Sequence, residues 1–486
     1  IILRDETGGN SSVFLRVLNS ARKSPSAVVP CGGIGPDNRG NTQGTYYLCS
    51  TADSVIVNPQ GMIDWSGLSS QVMYYKDLLQ KVGVEMQVVK VGTYKSAVEP
   101  FLLNEMSDAN REQIETYDRE IWGEMTQAVS KSRGISVAKL NELADSMMLF
   151  KDAAIYKKEK LIDKVAYSDA VSQTIATMMK VDSPEDYSTL TVKDLAGIAG
   201  SKPKGISGNV VAVYYAVGDI VEESTSDFTM EPEIVGKKVI KDLEKLANDD
   251  DVKAVVLRVN SGGGSAYASE QIWHAVQLLR ESGKPVVVSM GDYAASGGYY
   301  ISCGADYIYA QPGTLTGSIG IFGLIPDVSQ LRSKLGLDMD GVKTNAHSDL
   351  ETNAIYRGMN SEENAMMQQM VERGYDLFTR RCADGRHTSQ DEIKKIGEGR
   401  VWLGKDALTL GLVDELGGMD EAVRKAAELA ELDKYELTYY PGRKDFLTQL
   451  LEQLDSSSEE EKMISSIRER CSEARVLMLM HFPEIK

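Results

Sequence analysis

The chain has 486 residues, 42% of them hydrophobic and 26% charged, and a formal net charge of −18. That length exceeds one ordinary core and calls for at least two domains. The negative surface excludes binding to phosphate backbones, so no nucleic-acid partner is expected. Five cysteines and four histidines, widely spaced, form neither a disulfide ladder nor a ligand pair, so no metal is expected. No apolar run reaches the roughly 20 residues that span a bilayer. The first residues, Ile1 to Arg4, read as a strand entered without a methionine, so preceding sequence is expected.

A shift of 253 residues superimposes a long segment of the chain on itself. Gly44, Tyr46, Tyr47, Ala52, Asp53 and Pro59 fall on Gly297, Tyr299, Tyr300, Ala305, Asp306 and Pro312. Lys81, Gly83 and Met86 fall on Lys334, Gly336 and Met339, and Arg133 falls on Arg386. A register held over about 90 residues marks an internal duplication. Ile2 to Arg4 and Gly8-Gly9 match Val256 to Arg258 and Gly262-Gly263 at a shift of 254. Leu161 to Asp163 match Leu412 to Asp414 at a shift of 251. The expected domains are 1–186 and 209–446, joined by a linker over 187–208 and followed by a tail over 447–486. In the tail, Asp455 to Lys462 reads as solvated and Ala474 to Met480 as an apolar turn able to dock.

The second copy opens with a strand from Val210 to Val217 that has no partner in the first. Val252 to Val259 is a buried β run. Ala266 to Glu281 is a helix with Ile272, Val276 and Leu279 on one face. Val286 to Met290 is a strand, a short helix follows Ser296, and Ile308 to Ala310 is a strand again. Strands alternating with helices predict an α/β fold with a parallel sheet.

Two glycine-rich turns each lie between a strand and a helix: Asn260 to Ser265, and Ala294 to Tyr299. Ser296 in the second stands near a helix N-terminus, where developing negative charge is favoured. The N–H of Gly297 and one from the Gly262 to Gly264 turn are candidates for an oxyanion hole. Ordinary turn chemistry and a phosphate cradle are the competing readings of these glycines. Comparison of the copies weighs on the choice. Gln43 stands where the first copy should carry Ser296. Lys95 lies 52 residues after Gln43, and its counterpart, 52 residues after Ser296, is Ser348. Each copy keeps one half of a Ser/Lys pair, which sets Lys95 apart from an ordinary solvated lysine. Lys90, by contrast, matches Lys343. His347, beside Ser348, is the rival base, with the adjacent Asp349 as its one assignable acid.

Tyr94 to Phe101, Ala294 to Tyr299 and Leu315 to Gly320 resemble the motifs of the long-form signal peptide peptidase A family, over nearly the whole chain. The resemblance implies two tandem Clp/crotonase-like domains and a serine endopeptidase that cuts hydrophobic peptides such as residual signal peptides. It implies Ser296 as nucleophile, Lys95 as general base, Ser318 positioning the lysine, and Gly263 and Gly297 as oxyanion donors, with no cofactor. It also implies a homo-oligomer, a tetramer, facing the extracytoplasmic side of the bacterial inner membrane, held by an anchor outside this sequence. Gly262 departs from the family's usual proline before two glycines. A crotonase-type acyl-CoA enzyme and a non-catalytic scaffold are the alternatives.

Overall fold

The computed structural model describes residues 31–32, 43–186, 208–224, 232–441 and 476–479. The expected opening strand at Ile1, all but the last residue of the expected 187–208 linker, and the solvated part of the tail lie outside these residues. Two compact units form: one from residues 1–70, 116–204 and 485–486, the other from 71–115 and 205–484. Lys95, in the first sequence copy, therefore belongs to the same compact unit as Ser296.

In the first unit, strands β1 (Cys31–Gly32) and β2 (Ile56–Val57) pair in parallel. Strand β3 (Glu85–Val91) belongs to the second unit, and β4 (Lys164–Val165) completes the small parallel sheet beside β2. Its core gathers Val57, Trp65, Val129, Leu140, Tyr156 and Leu161. The indole N–H of the fully buried Trp65 donates to the Leu140 carbonyl at 3.0 Å, so burial leaves that polar group satisfied.

The second unit is built on β5 (Val210–Val217), β6 (Asp219–Val221), β7 (Glu233–Val235), β8 (Val252–Ser261), β9 (Gly263–Ser265) and β10 (Val286–Ala295). It continues with β11 (Tyr307–Ala310), β12 (Leu315–Gly317), β13 (Ile321–Asp327), β14 (Val401–Leu403), β15 (Glu415–Leu416) and β16 (Glu436–Tyr440). β17 (Val476–Leu479) closes the list. One sheet runs β14-β12-β10-β8-β5-β16, with β11 joining β10 to β15. Every pairing in it but β12 with β14 is parallel. Val252 to Val259 is almost continuously apolar and buried, as a strand covered on both faces requires. The helix Ala266–Glu281 is capped by Ser265, whose hydroxyl accepts from the Ala268 N–H at 3.2 Å. It buries Ile272, Ala275, Val276 and Leu279 in the main core.

A second sheet runs β3-β13-β17-β9-β6-β7. Val476–Leu479, expected to dock as an apolar turn, is an extended strand antiparallel to β13 and β9. Alternating backbone hydrogen bonds, unreadable from apolar content alone, decide that form. No helix among the described residues is long and apolar enough to cross a membrane.

Candidate active site

The register of three strands brings the motifs together. β10 and β12 pair in parallel with Ala295 opposite Gly317, so the residues that follow, Ser296 and Ser318, leave the sheet side by side. The Ser296 N–H donates to the Gly317 carbonyl at 2.8 Å and the Ser318 N–H to the Arg400 carbonyl at 2.7 Å. Both serines take positive φ, 55° and 50°, a conformation costly to residues bearing a Cβ. β13 begins three residues after Ser318 and runs antiparallel to β3, with Ile321 opposite Val91. The end of β3 is thereby delivered to the serines, and Lys95 follows four residues on.

Lys95 Nζ lies 2.9 Å from Ser296 Oγ, 3.1 Å from Ser318 Oγ and 3.2 Å from the Ser318 carbonyl. All three residues are buried, Lys95 being 1% exposed. Burial is the sole cause that pulls the Lys95 amine down from its ordinary 10.5 to about 7. A hydroxyl beside an amine so placed is a pair able to exchange a proton at neutral pH.

The glycines beside Ser296 allow backbones to approach. A Cβ on Gly297 would stand 2.7 Å from Ser269 Oγ and 3.2 Å from the Gly263 Cα, and one on Gly298 would strike the Ser261 carbonyl at 2.6 Å. Ser296 thus precedes the short helix Gly297–Tyr300 at a corner packed directly against the Gly263 turn. The Gly263 N–H donates to Ser261 Oγ at 3.1 Å.

His347 is placed elsewhere. Its Nδ1 faces Glu363 Oε1 at 3.2 Å, in a cluster where Arg357 bridges Glu363 and Asp349. Its acid is therefore Glu363, sixteen residues away in the helix Ser361–Gly385, rather than the adjacent Asp349 of the sequence reading. Asp349 is taken by Arg357 and Lys343. Ser348 bonds the Asn345 carbonyl. In the first unit, Gln43 is buried and its amide makes two bonds to the Gly67 backbone, 2.7 Å and 3.0 Å. Among the described residues no His, Cys, Asp or Glu group is arranged to hold a metal ion.

Sequence reading overlooked the turn Gly397 to Arg400, which packs against Lys95. Gly399 has φ +77°, and a Cβ there would lie 2.7 Å from the Lys95 Cβ and N. The two glycines flanking a single Glu398 were the available signal. It also overlooked Glu99, fully enclosed and accepting from Ser107 and Asn110. Those bonds fix the chain just after Lys95.

The model of peptidase family S49 matches residues 38–182 and 278–433, more than half the chain, and that of Clp protease matches residues 229–314. The chain is similar to Protease 4 of Salmonella typhi, 37% identical over 462 residues, covering 94% of this chain and 72% of that protein. Protease 4 of Haemophilus influenzae is 36% identical, over 80% of this chain and 63% of its own length. The chloroplastic serine protease SPPA of Arabidopsis thaliana is 29% identical, over 80% of this chain and 57% of its own length. The chain therefore spans less than two thirds of the latter two relatives. With family S49 matched in two successive segments and a Clp protease match inside the parallel-sheet unit, the α/β fold is a Clp-like one in tandem, and the chain belongs to peptidase family S49.

Proposed function

We propose that the chain is a serine endopeptidase acting through a Ser296/Lys95 dyad and an acyl-enzyme. The observation that carries the reading is the 2.9 Å approach of a buried, uncharged-prone lysine to a serine hydroxyl at a strained strand-to-helix corner. A neutral amine has two N–H groups and one lone pair. With the N–H groups spent on the Ser318 hydroxyl and carbonyl, the lone pair is left for the Ser296 proton. Ser318 is thus the positioning residue.

Ser296 Oγ attacks the peptide carbonyl as its proton passes to Lys95 Nζ. The tetrahedral intermediate collapses with cleavage of the C–N bond, and the same proton moves from Nζ to the departing amine. Water repeats the sequence on the ester. The Gly297 N–H, at the start of a helix and beside the nucleophile, is the first oxyanion donor. The Gly263 N–H is the second, once a substrate oxygen displaces its bond to Ser261. An extended substrate fits the edges of this site: β9 and β13 already take up β17 in antiparallel register, with Met478 opposite Gly264.

Likeness to the relatives supports hydrophobic peptides, residual signal peptides among them, as substrates. The resemblance of the segments Tyr94 to Phe101, Ala294 to Tyr299 and Leu315 to Gly320 to the signal peptide peptidase A motifs is what supports a tetrameric homo-oligomer at the extracytoplasmic face of a bacterial membrane. The test is hydrolysis of a hydrophobic peptide together with mass-labelling by a fluorophosphonate. We expect cleavage and a single adduct on Ser296, both absent in Ser296→Ala. Cleavage without that adduct removes the dyad, and an adduct-free, inactive wild type returns the chain to an acyl-CoA enzyme or a scaffold.

A further inference from the structure

Lys95 stands 201 residues from Ser296 in sequence, so its approach depends on what ties down its loop. The tie is the turn Gly397 to Arg400. The Tyr94 N–H donates to the Glu398 carbonyl at 2.9 Å, and Gly92 (φ +109°) passes so close to Glu398 that a Cβ would lie 2.4 Å from its carbonyl carbon. The same turn grips the other side of the site. The Gly399 N–H donates to the Ile319 carbonyl and the Arg400 carbonyl accepts from the Ser318 N–H, both at 2.7 Å. One turn thus holds both Lys95 and Ser318.

The Arg400 side chain locks that arrangement. Its guanidinium lies over the Tyr94 ring at 4.7 Å and over the Trp402 ring at 4.4 Å. It donates to Tyr94 Oη at 3.1 Å and to Glu112 at 3.0 Å, and Tyr94 Oη in turn donates to Glu112 at 3.3 Å. Gln113 adds a second strap, donating to the Tyr94 carbonyl and Ser96 Oγ while accepting from the Val401 N–H. Both neighbours of Lys95 are therefore tied to this segment, Tyr94 to Arg400 directly and Ser96 to Val401 through Gln113.

We propose that Arg400 is a positioning residue for the base: by clamping Tyr94 it seats the Lys95 backbone on the Glu398–Gly399 turn and fixes Nζ between Ser296 and Ser318. The inference rests on the dyad reading. A planar, always-charged group that stacks and forks at once suits such a clamp, and an ammonium does not. The seat also keeps the amine dry. Among the described residues Nζ bonds only Ser296 and Ser318, and no charged group contributes to its depressed titration. The ionisable groups of the seat, Tyr94, Glu112, Glu398 and Arg400, bond the loop and one another.

The test compares Arg400→Gln, Tyr94→Phe and Lys95→Ala in the full chain, with melting curves and peptide hydrolysis followed from about pH 5 to about pH 10. Arg400→Gln should lower kcat roughly tenfold to hundredfold, the cost of a misplaced catalytic group. KM should stay within about twofold, as binding is untouched. The acid limb should move up in pH, because a loosened amine regains water and its ordinary basicity. Tyr94→Phe keeps the ring and loses the hydroxyl, and should move the limb the same way by less, with melting unchanged. Folded Arg400→Gln and Tyr94→Phe proteins that keep the wild-type limb, or an Arg400→Gln loss that merely tracks the folded fraction, would overturn the inference. If Lys95→Ala is inactive in that case, the dyad reading stands without it. If Lys95→Ala stays active, both fall.

Discussion

The two sequence copies share a set of framing contacts and part at the corner where Gln43 answers Ser296. In the first, Tyr46 Oη donates to the Leu161 carbonyl at 2.8 Å, and in the second Tyr299 Oη donates to the Leu412 carbonyl at 2.9 Å. Arg133 pairs with Asp163 at 2.8 Å, as Arg386 does with Asp414 at 2.5 Å. The Val55 and Ile308 N–H groups donate to those same carboxylates at 2.7 Å and 2.8 Å. At the corner, Gln43 begins a helix with its amide bound twice to Gly67, whereas Ser296 sits at positive φ with its hydroxyl against a lysine. The duplicated contacts are those that hold a strand, a helix and a return strand together, and they are indifferent to chemistry. In the first copy the corner is filled by a satisfied polar group. In the second, where the reaction is proposed, the corner carries a strained serine and a lysine whose charge burial disfavours.

The largest expected effect breaks that comparison outright. Ser296→Ala should abolish peptide hydrolysis while the fold survives, because the other hydroxyl on Lys95, that of Ser318, holds the amine and does not stand at the start of the helix Gly297–Tyr300. Gln43→Ala should leave turnover per folded molecule unchanged. Equal losses in both variants, measured with active-site titration, would end the assignment. Lys95→Ala should reduce turnover by ~10²–10⁴, the usual cost of a general base, while His347→Ala, whose ring faces Glu363, changes it little. In the wild type the rate should rise with pH through about 7, where the buried amine loses its proton. A profile flat from about pH 6 to about pH 9 would contradict this.

The same corner should show an opposite sign in stability. Lys95 is held to about 7 against an ordinary 10.5, so between those values the unfolded chain binds more protons and stability rises with pH. Below about pH 7 the amine is charged in the folded and the unfolded chain alike, and the full desolvation penalty applies. At ~1.4 kcal/mol per unit this is a few kcal/mol. Lys95→Met should therefore raise the melting temperature at pH 6, and the gain should shrink toward pH 10. Gln43→Ala should lower the melting temperature, through about 1–3 kcal/mol of stability lost with its two bonds to the Gly67 backbone. A Lys95→Met protein less stable than wild type at every pH would show that the bonds to Ser296 and Ser318 outweigh desolvation.

Much of this was legible in the sequence for local reasons. The run Val252 to Val259, the helix Ala266–Glu281 and the turn at Ser296 are each set by contiguous residues, and the structure extends the first strand only to Ser261. The approach of Lys95 to Ser296, although 201 residues apart, was readable because the duplication supplied a matched blank for each. No such internal control existed for Glu398 to Arg400, whose contacts with Tyr94 and Glu112 join residues about 300 apart. β17 escaped as well, since four apolar residues do not announce which edges they pair with. Glu363 was missed as the partner of His347 because the two lie sixteen residues apart, with the helix Leu350–Arg357 between them in the chain.

The smallest expected effect sharpens the comparison by predicting no difference. Arg133 and Arg386 each have side chains 9% exposed and each meets a carboxylate that also receives a backbone N–H. Burial alone would raise the Asp163 carboxyl, and the hydrogen bonds it accepts from Arg133 and from the Val55 N–H outweigh that, leaving it below its ordinary value. A carboxyl so lowered contributes stability above its unfolded value near 3.8 and loses that contribution as pH falls through the folded value. The partner carboxylates are 42% and 26% exposed, which screens both pairs and keeps each below the cost of breaking a fully buried one. Arg133→Lys and Arg386→Lys both lose the planar fork and keep the charge. Each should destabilise its own unit by about 1–2 kcal/mol at neutral pH, read from hydrogen exchange at Ile162 and Val413. If the Arg386 substitution alone is costly, the two copies do not share a frame of equal worth, and the corner at Ser296 draws support from Arg386 that Gln43 does not draw from Arg133.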